Sequence, residues 1–245
     1  MPRFFTSRDN IDKEKREARI LGNDARHIAR SLRMAVGDAV TVCDGEGTEF
    51  ECNLTYIRDE ECRLGIVSEK KSTSEAPKEI TLYMAYPKSD KLELVVQKSV
   101  ELGASRVVPF ISERCIKRPK AEKEDKQTER LGRIAEEAAK QCGRAKLPEV
   151  TAPISFKELL ARIANDECTL FCYEGEGAVS LAEILPSVSS DKISVIVGSE
   201  GGFTEKEAEL AREAGAKIVN LGPRILRCET APIYCLSAIS YAFEL

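Results

Sequence analysis

The residues whose types and spacing can do chemistry gather between Val195 and Glu229, VIVGSEGGFTEKEAELAREAGAKIVNLGPRILRCE. Two apolar runs in this stretch each end in a glycine turn, Val197-Gly198-Ser199-Glu200-Gly201-Gly202 and Leu221-Gly222-Pro223-Arg224-Ile225-Leu226-Arg227, with a short polar helix between them. Strands that end in glycine turns bring backbone N–H and C=O groups to the carboxyl edge of a sheet, where open α/β folds bind ligands. Glycine there permits unusual φ and lets a ligand approach the main chain closely. The two turns therefore predict one pocket lined mostly by backbone. The first is neither G-x-G-x-x-G nor a P-loop, since no G-K-[ST] follows it.

Each motif also has a plainer reading. Thr204 and Glu207 have the spacing of a capping box. That accounts for the helix start but not for three glycines and a carboxylate within five residues. Thr230 and Pro232 fit helix initiation, Thr as cap and Pro in the first turn. Arg224 and Arg227 stand beside Glu229; a surface ion pair, worth little, and a grip on phosphate or a nucleobase face are both open to them. Tyr173 and Glu174 end a strand and are expected to border the same pocket. His27, the lone histidine, reads as a surface or packing residue. Asp44-Gly-Glu-Gly47 and Glu174-Gly-Glu-Gly177 lack the ligand ladder of a calcium loop and read as turns.

The chain has 245 residues, 42% hydrophobic and 32% charged, enough for a self-sufficient core in one domain or two. No apolar run approaches the ~20 residues that span a bilayer, and the start, MPRFFTSRDN, does not read as a secretory leader. A cytoplasmic protein without a membrane partner is expected. Nine cysteines are scattered without any C-x-x-C, so no metal is expected. Cys168, Cys172 and Cys235 sit in apolar runs and read as buried small hydrophobes in a reducing compartment. The net charge of −4 gives nucleic acid no overall attraction. Local charge matters more within a Debye length of roughly 8 Å, and basic residues cluster as Arg26/Arg30/Arg33, Arg114/Lys117/Arg118/Lys120 and Lys140/Arg144/Lys146. The i, i+4, i+7 spacing of the first cluster predicts a single helix face, ordinarily a solvated one.

Two regimes organise the chain. Up to about residue 70, a helix over Ala25–Arg33 capped by Asp24 precedes strands Ala39–Cys43, Thr48–Ile57 and Cys62–Glu69, which suggests a small antiparallel barrel. Lys70–Lys78 is polar, carries a proline and is the linker candidate. Strands then alternate with helices. The strands are Ile80–Tyr86, Arg106–Ile111, Thr169–Tyr173, Ile193–Val197 and Ile218–Leu221. The helices are Lys91–Leu102 (Leu92, Val95, Val96, Ser99 and Val100 on one side), Glu122–Cys142, Phe156–Ile163, Glu205–Ala214 and Pro232–Phe243. This rhythm predicts an α/β domain with a mainly parallel, doubly covered sheet.

With both glycine motifs in order, and with His27-Ile-Ala-Arg-Ser-Leu-Arg-Met34, Gln97-Lys98-Ser99-Val100-Glu101-Leu102-Gly103, Ser112-Glu113-Arg114-Cys115 and Glu137-Ala-Ala-Lys-Gln-Cys-Gly-Arg144, nearly the whole chain resembles the ribosomal RNA small subunit methyltransferase E family of the SPOUT class. The resemblance implies a PUA-like RNA-binding β-barrel over residues 1–72 and a SPOUT methyltransferase domain with a deep C-terminal trefoil knot over 73–245. It implies a homodimer that uses S-adenosylmethionine to make 3-methyluridine in 16S rRNA of the 30S subunit, as part of ribosome biogenesis. The implied cofactor site is Tyr173, Glu174, Val197, Gly198, Ser199, Glu200, Gly201, Gly202, Leu221, Gly222, Ile225, Leu226, Arg227, Cys228, Thr230 and Ala231. Two positions depart from the family pattern: Ser199 stands where proline follows the first glycine, and Cys228 where threonine follows Arg227. Cys228 is a weaker hydrogen-bonding group than threonine; backbone contacts survive both changes.

The chemistry so implied needs uridine N3 aligned with the methyl donor and its developing anion stabilised by a cation near O2 or O4. Arg227 is the first expected catalytic residue and Arg224 the second, with Glu229 orienting Arg227 or accepting the proton. RNA contacts are expected from Arg3, Arg8, Arg26, Arg30, Arg33, Arg114, Lys117 and Arg118. Rival readings are a SPOUT enzyme acting at another RNA position or on tRNA, a non-catalytic RNA-binding assembly factor, and a nucleotide-dependent oxidoreductase. The last is disfavoured by the absence of G-x-G-x-x-G with a downstream acid.

Overall fold

A computed structural model describes every residue except Ser89 and Lys120, and every other side chain except those of Ala121 and Lys123. Lys120 of the basic run thus lies outside the described residues. The chain divides into two compact units: Met1–Glu75 with Ala139–Leu147, and Ala76–Ala138 with Pro148–Leu245.

The first unit contains β1 (Arg3–Phe5), β2 (Ile11–Asp12), β3 (Glu17–Leu21), α1 (Gly22–Arg26), β4 (Ala39–Cys43), β5 (Thr48–Ile57) and β6 (Glu61–Lys71). Its six-stranded sheet runs β1-β4-β5-β6-β3-β2. β1 pairs with β4 in parallel and the other neighbours are antiparallel. β3 alternates exposed and buried positions, as a strand does with one face on a core and one in water. Ala18 and Ile20 of β3 pack inward with Phe50, Leu54, Leu64 and Ile28. In the β4–β5 turn Asp44 Oδ1 accepts from the backbone N–H of Glu46 and of Thr48, each at 2.9 Å, so this acidic loop closes on itself as a turn.

Three local expectations change here. α1 ends at Arg26, His27–Ser31 continue as a wider π-type turn, and Arg33 adopts φ 52°. The widened turn breaks the 3.6-residue period, so Arg26, Arg30 and Arg33 do not lie along one helix face. Asp24 sits inside the first turn of α1 and is no cap; its carboxylate oxygens accept from Lys140 Nζ at 3.1 and 3.2 Å. β6 runs through Lys71, paired with Thr48, so the start of the expected linker is strand.

The second unit continues with β7 (Glu79–Ala85), α2 (Lys91–Glu101), β8 (Ala104–Ile111), α3 (Ala121–Cys142), β9 (Glu149–Val150), β10 (Ile154–Ser155), α4 (Phe156–Ile163), β11 (Thr169–Cys172), β12 (Val179–Ser180), α5 (Leu181–Ile184), β13 (Lys192–Val197), α6 (Glu205–Glu213), β14 (Lys217–Asn220) and α7 (Thr230–Glu244). The sheet order is β10-β8-β7-β13-β11-β14-β12, with β9 also on β8, and every pairing is parallel. β7 and β13 are buried at successive positions after their first residue, the pattern of strands covered on both faces. α2 buries Leu92, Val95, Val96, Ser99 and Val100, the side its spacing predicts. α7 starts at Thr230, with Glu229 in the cap position and no side-chain cap; Thr230 is the first helical residue and not the cap.

The capping box at α6 forms as expected and does more than cap. Thr204 Oγ1 accepts from Glu207 N at 3.2 Å, and Glu207 Oε2 accepts from Thr204 N at 2.9 Å. Glu207 Oε1 also accepts from Glu113 N at 2.8 Å, which fastens the loop after β8 to the start of α6. Replacing Glu207, only 4% exposed, by alanine strands these donors. The expected loss is about 2 kcal/mol of stability, read as a lowered urea midpoint with an unchanged m-value.

Candidate functional site

In the sheet β13 lies between β7 and β11, while the next strand, β14, lies on the far side of β11. The carboxyl ends of β11, β13 and β14 therefore open side by side. A cleft of about 340 Å³ occupies this edge, within the range of small-molecule sites. Tyr173 and Glu174 border it from β11, Val197, Gly198, Ser199, Glu200 and Gly202 from β13, and Leu221, Gly222, Arg224, Ile225, Leu226, Arg227, Cys228 and Ala231 from the segment after β14. Gly201 and Thr230 are not on its wall. Cys172, Phe203, Asn220 and Lys91 line it as well, and none of these is among the expected site residues. The first three adjoin the motifs. Lys91 is far away in the chain and carries no local mark.

The first turn is fixed at one end by packing. Phe203, 2% exposed, sits 4.2 Å from the Phe171 ring and stacks 6.2 Å from Phe110. A Cβ on Gly198 would lie 3.1 Å from Gly202 Cα and 3.2 Å from the Phe203 ring, and one on Gly201 would lie 2.9 Å from Arg114 Cβ. Glycine is required here for close approach of chain to chain. Gly202 and Gly222 have φ of 62° and 103°, which side-chain-bearing residues rarely adopt. Ser199 is 6% exposed, and its Oγ has no hydrogen-bond partner. A buried hydroxyl at a cleft wall without a partner is costly unless something else satisfies it.

The charges are arranged differently from expectation. Lys91 Nζ lies 3.2 Å from Glu200 Oε1 and 3.1 Å from Glu229 Oε2. Glu229 Oε2 also accepts from the Cys228 thiol at 3.2 Å. Glu229 is thus committed to Lys91 and Cys228 and does not orient Arg227. Burial raises the Glu229 carboxyl, but backbone donors, the Cys228 thiol and Lys91 outweigh it and hold it below the usual range. Glu200 is likewise raised by burial and lowered further by backbone donors and Lys91, to a net depression. The Lys91 ammonium is pushed up by Glu229 and then Glu200. A carboxylate kept ionised in this way is a poor proton acceptor. Arg224 and Arg227 are exposed at the rim and hold no ion pair among the described residues.

The basic residues meet varied fates. Arg3 turns inward, 3.1 Å from Glu49 and donating to Cys43 Sγ at 3.0 Å, so it is withdrawn from the surface set. Arg8 pairs with Glu46 and Arg30 with Asp59. Arg26, Arg33, Lys117 and Arg118 are exposed, and Arg114 donates to Gly201 O at 3.1 Å beside the first glycine turn. Lys140 pairs with Asp24 and buried Arg144 with Glu75.

Comparison with known proteins fits this arrangement. A family model described as an RNA methyltransferase domain matches residues 74–240, and one described as an RNA methyltransferase PUA domain matches residues 20–67. The chain is that of an RNA methyltransferase with a PUA domain. The chain is 37% identical over 233 residues, 92% of its length and 90% of the relative's, to ribosomal RNA small subunit methyltransferase E of Bacillus subtilis. The Neisseria gonorrhoeae enzyme of the same name, solved bound to S-adenosylmethionine, superposes with a TM-score of 0.89 at 32% identity, covering 99% of this chain and 98% of that one. A Legionella pneumophila protein in complex with the same cofactor gives 0.87 at 29% identity over 98% and 97% of the two chains. The chain belongs to the ribosomal RNA small subunit methyltransferase E family.

The thiol at the cleft wall gives a direct check. Burial first, then the Glu229 carboxylate, pushes the Cys228 thiol up to about 12. Only thiolate is alkylated. Peptide mapping after iodoacetamide treatment near pH 8 is expected to show Cys228 unmodified in the folded protein and modified after unfolding in urea.

Proposed function

We propose that the chain is an S-adenosylmethionine-dependent methyltransferase that methylates N3 of a uridine in 16S rRNA of the small ribosomal subunit. One observation carries the cofactor assignment: the buried, unpartnered Ser199 hydroxyl on the wall of a glycine-lined cleft, in a family whose N. gonorrhoeae member was solved with that cofactor. The residues fit the group. The strand ends offer main-chain donors and acceptors, and the volume suits a nucleoside-sized ligand.

When bound, S-adenosylmethionine supplies an activated methyl on a sulfonium. The chain's own residues bind, orient and stabilise charge. Ser199 and the cleft-lining backbone that follows β13 and β14 would hold the donor. Arg227, with Arg224 beside it, sits at the rim, where a guanidinium can meet the negative charge that develops on O2 or O4 as N3 gives its proton to water. The target base must leave its stack to reach the cleft. Arg8, Arg26, Arg30, Arg33, Arg114, Lys117 and Arg118 supply phosphate contacts.

Three architectural features belong to this reading. The first unit is a closed PUA-like barrel. β1 and β2 lie at opposite ends of its sheet order, yet Phe5 and Ile11 are near in sequence. Such a segment reaches at most about 20 Å, less than the roughly 24 Å width of a flat six-stranded sheet. Thr6 Oγ1 donates to Arg19 O at 2.8 Å, joining the β1 end to β3. The second unit is a trefoil knot, with α7 threaded back: β14 lies beyond β11, yet α7 packs on β13 and α2. The protein works as a homodimer in the cytoplasm. Exposed Tyr234 and Tyr241 on α7 and Ile225 before it supply apolar surface for a second copy.

Methyl transfer from labelled S-adenosylmethionine to unmodified 30S subunits, followed by nucleoside analysis, is expected to yield 3-methyluridine. Label at another base or position, or in tRNA only, overturns the substrate assignment, and no cofactor binding by calorimetry favours an assembly factor. Arg227→Ala is expected to lower kcat about 100-fold while cofactor affinity changes less than threefold. RNA affinity is expected to fall with salt, at a slope of roughly −0.7 per phosphate contact for single strands.

A further inference from the structure

We propose that Lys91 is the positioning residue of the cleft: its single ammonium, presented by the first turn of α2, clasps Glu200 of one glycine turn and Glu229 of the segment before α7, and so holds both walls in binding shape. The inference rests on the cleft being the S-adenosylmethionine site.

The two carboxylates come from opposite walls and meet at one cation, 3.2 and 3.1 Å away. The Glu200 oxygens also accept from Lys88 N at 3.1 and 3.3 Å, so both the approach to α2 and its first residue grip the first turn. The base of the clasp is rigid, because Leu92, Val95 and Val96 bury α2 against the core. The loops it grips carry few side-chain anchors of their own. Gly198, Gly201 and Gly202 contribute no side-chain packing; Phe203 anchors one end, and Arg114 donates to Gly201 O. On the other wall, Thr230 N and Ala231 N close a single turn onto Arg227 O.

The charged groups facing Lys91 are Glu200, Glu229 and the Cys228 thiol, whose Sγ is 3.7 Å from Nζ. Glu93, in the same turn of α2, is turned to Arg130 instead. Removing the ammonium leaves two acids facing each other. Like charges at such a separation drive one of them to take up a proton, and at higher pH they push the walls apart. With Lys91 in place, both carboxylates sit below their usual range and stay ionised through the neutral range. The intact clasp is then indifferent to pH across the neutral range, and the broken one is not.

The test is calorimetry of the full chain with S-adenosylhomocysteine, a neutral thioether, at about pH 5.5 and about pH 8. The wild type and Lys91→Arg are expected to bind alike at both pH values. Lys91→Met is expected to bind about 10-fold more weakly near pH 8 and to recover about threefold near pH 5.5, as one freed carboxylate is protonated. Arg130→Gln, on α3, which breaks the exposed pair with Glu93 of the same α2 turn, is expected to match the wild type. Lys91→Met with wild-type affinity, or with the same loss at both pH values, overturns the proposal. Should Lys91→Met fail to fold, carboxylate-carbon NMR of the wild type, assigned with Glu200→Gln and Glu229→Gln, decides. Both groups titrating below ordinary glutamates supports the clasp, and ordinary titration of either one overturns it. A wild type that binds neither S-adenosylmethionine nor its thioether product sinks the cofactor reading alone, since the NMR titration still judges the clasp.

Discussion

The cleft depends on one constraint, the position of β13. Inserted between β7 and β11 with β14 beyond, it forces the chain to leave and re-enter the same sheet edge within a short stretch. At the carboxyl ends of parallel strands no further neighbour satisfies the backbone. The turns there must fold tightly enough to avoid one another while leaving donors and acceptors facing outward. Gly198 and Gly201 answer the first need, since a side chain on either would run into Gly202, Phe203 or Arg114. Phe203 answers the second by pinning the turn to Phe171 and Phe110 in the sheet. Glu207 extends the same logic outward, with one buried carboxylate satisfying the α6 cap and the loop after β8 together.

Electrostatics then separates the acids of the cleft from its exposed bases. Glu200 and Glu229 are engaged with Lys91 at its inner end, whereas Arg224 and Arg227 stand exposed at the rim. A guanidinium committed to an acid would have to break that pair before meeting another anion, at a desolvation cost that grows with burial. Confining the acids to a lysine leaves the rim cations uncommitted. The acid nearest Arg227 in sequence is engaged with Lys91 and Cys228 instead.

What could be read from the residues alone follows the range of the interactions involved. The α6 capping box is a contact over three residues, and its spacing shows it. The buried side of α2 is a periodicity, and the run Leu92, Val95, Val96 shows that too. The glycine turns are punctuation between an apolar strand and a polar helix. Lys91 was invisible because its partners lie on loops that only the sheet order brings to α2. The Arg26, Arg30, Arg33 stripe misled because regular spacing assumes a regular helix, and burial of Ile28 in the first core coincides with a wider π-type turn there. Ala139–Leu147 packs with the first unit although it follows most of α3 in the second, and a return of that kind leaves no local signal. The short strands β1 to β3 went unread for a related reason: a segment such as Ile11–Asp12 becomes a strand only through its partner, Glu17–Ala18.

The two departures from the family pattern gain a physical meaning from their surroundings. The Cys228 hydrogen is already given to Glu229 at 3.2 Å, inside a protein environment that keeps the thiol protonated. The thiol is therefore not a donor waiting for a ligand. Its hydrogen bond serves the acid wall of the cleft, a task a thiol performs weakly and a hydroxyl more strongly. Ser199 is the opposite case. It brings to the other wall a hydroxyl that nothing in the chain satisfies, where proline would offer neither a hydroxyl nor a backbone N–H. A polar atom buried without a partner is tolerated when a bound group completes it. The two walls thus differ: the Cys228 hydrogen is engaged with Glu229, whereas the Ser199 hydroxyl has no partner in the chain.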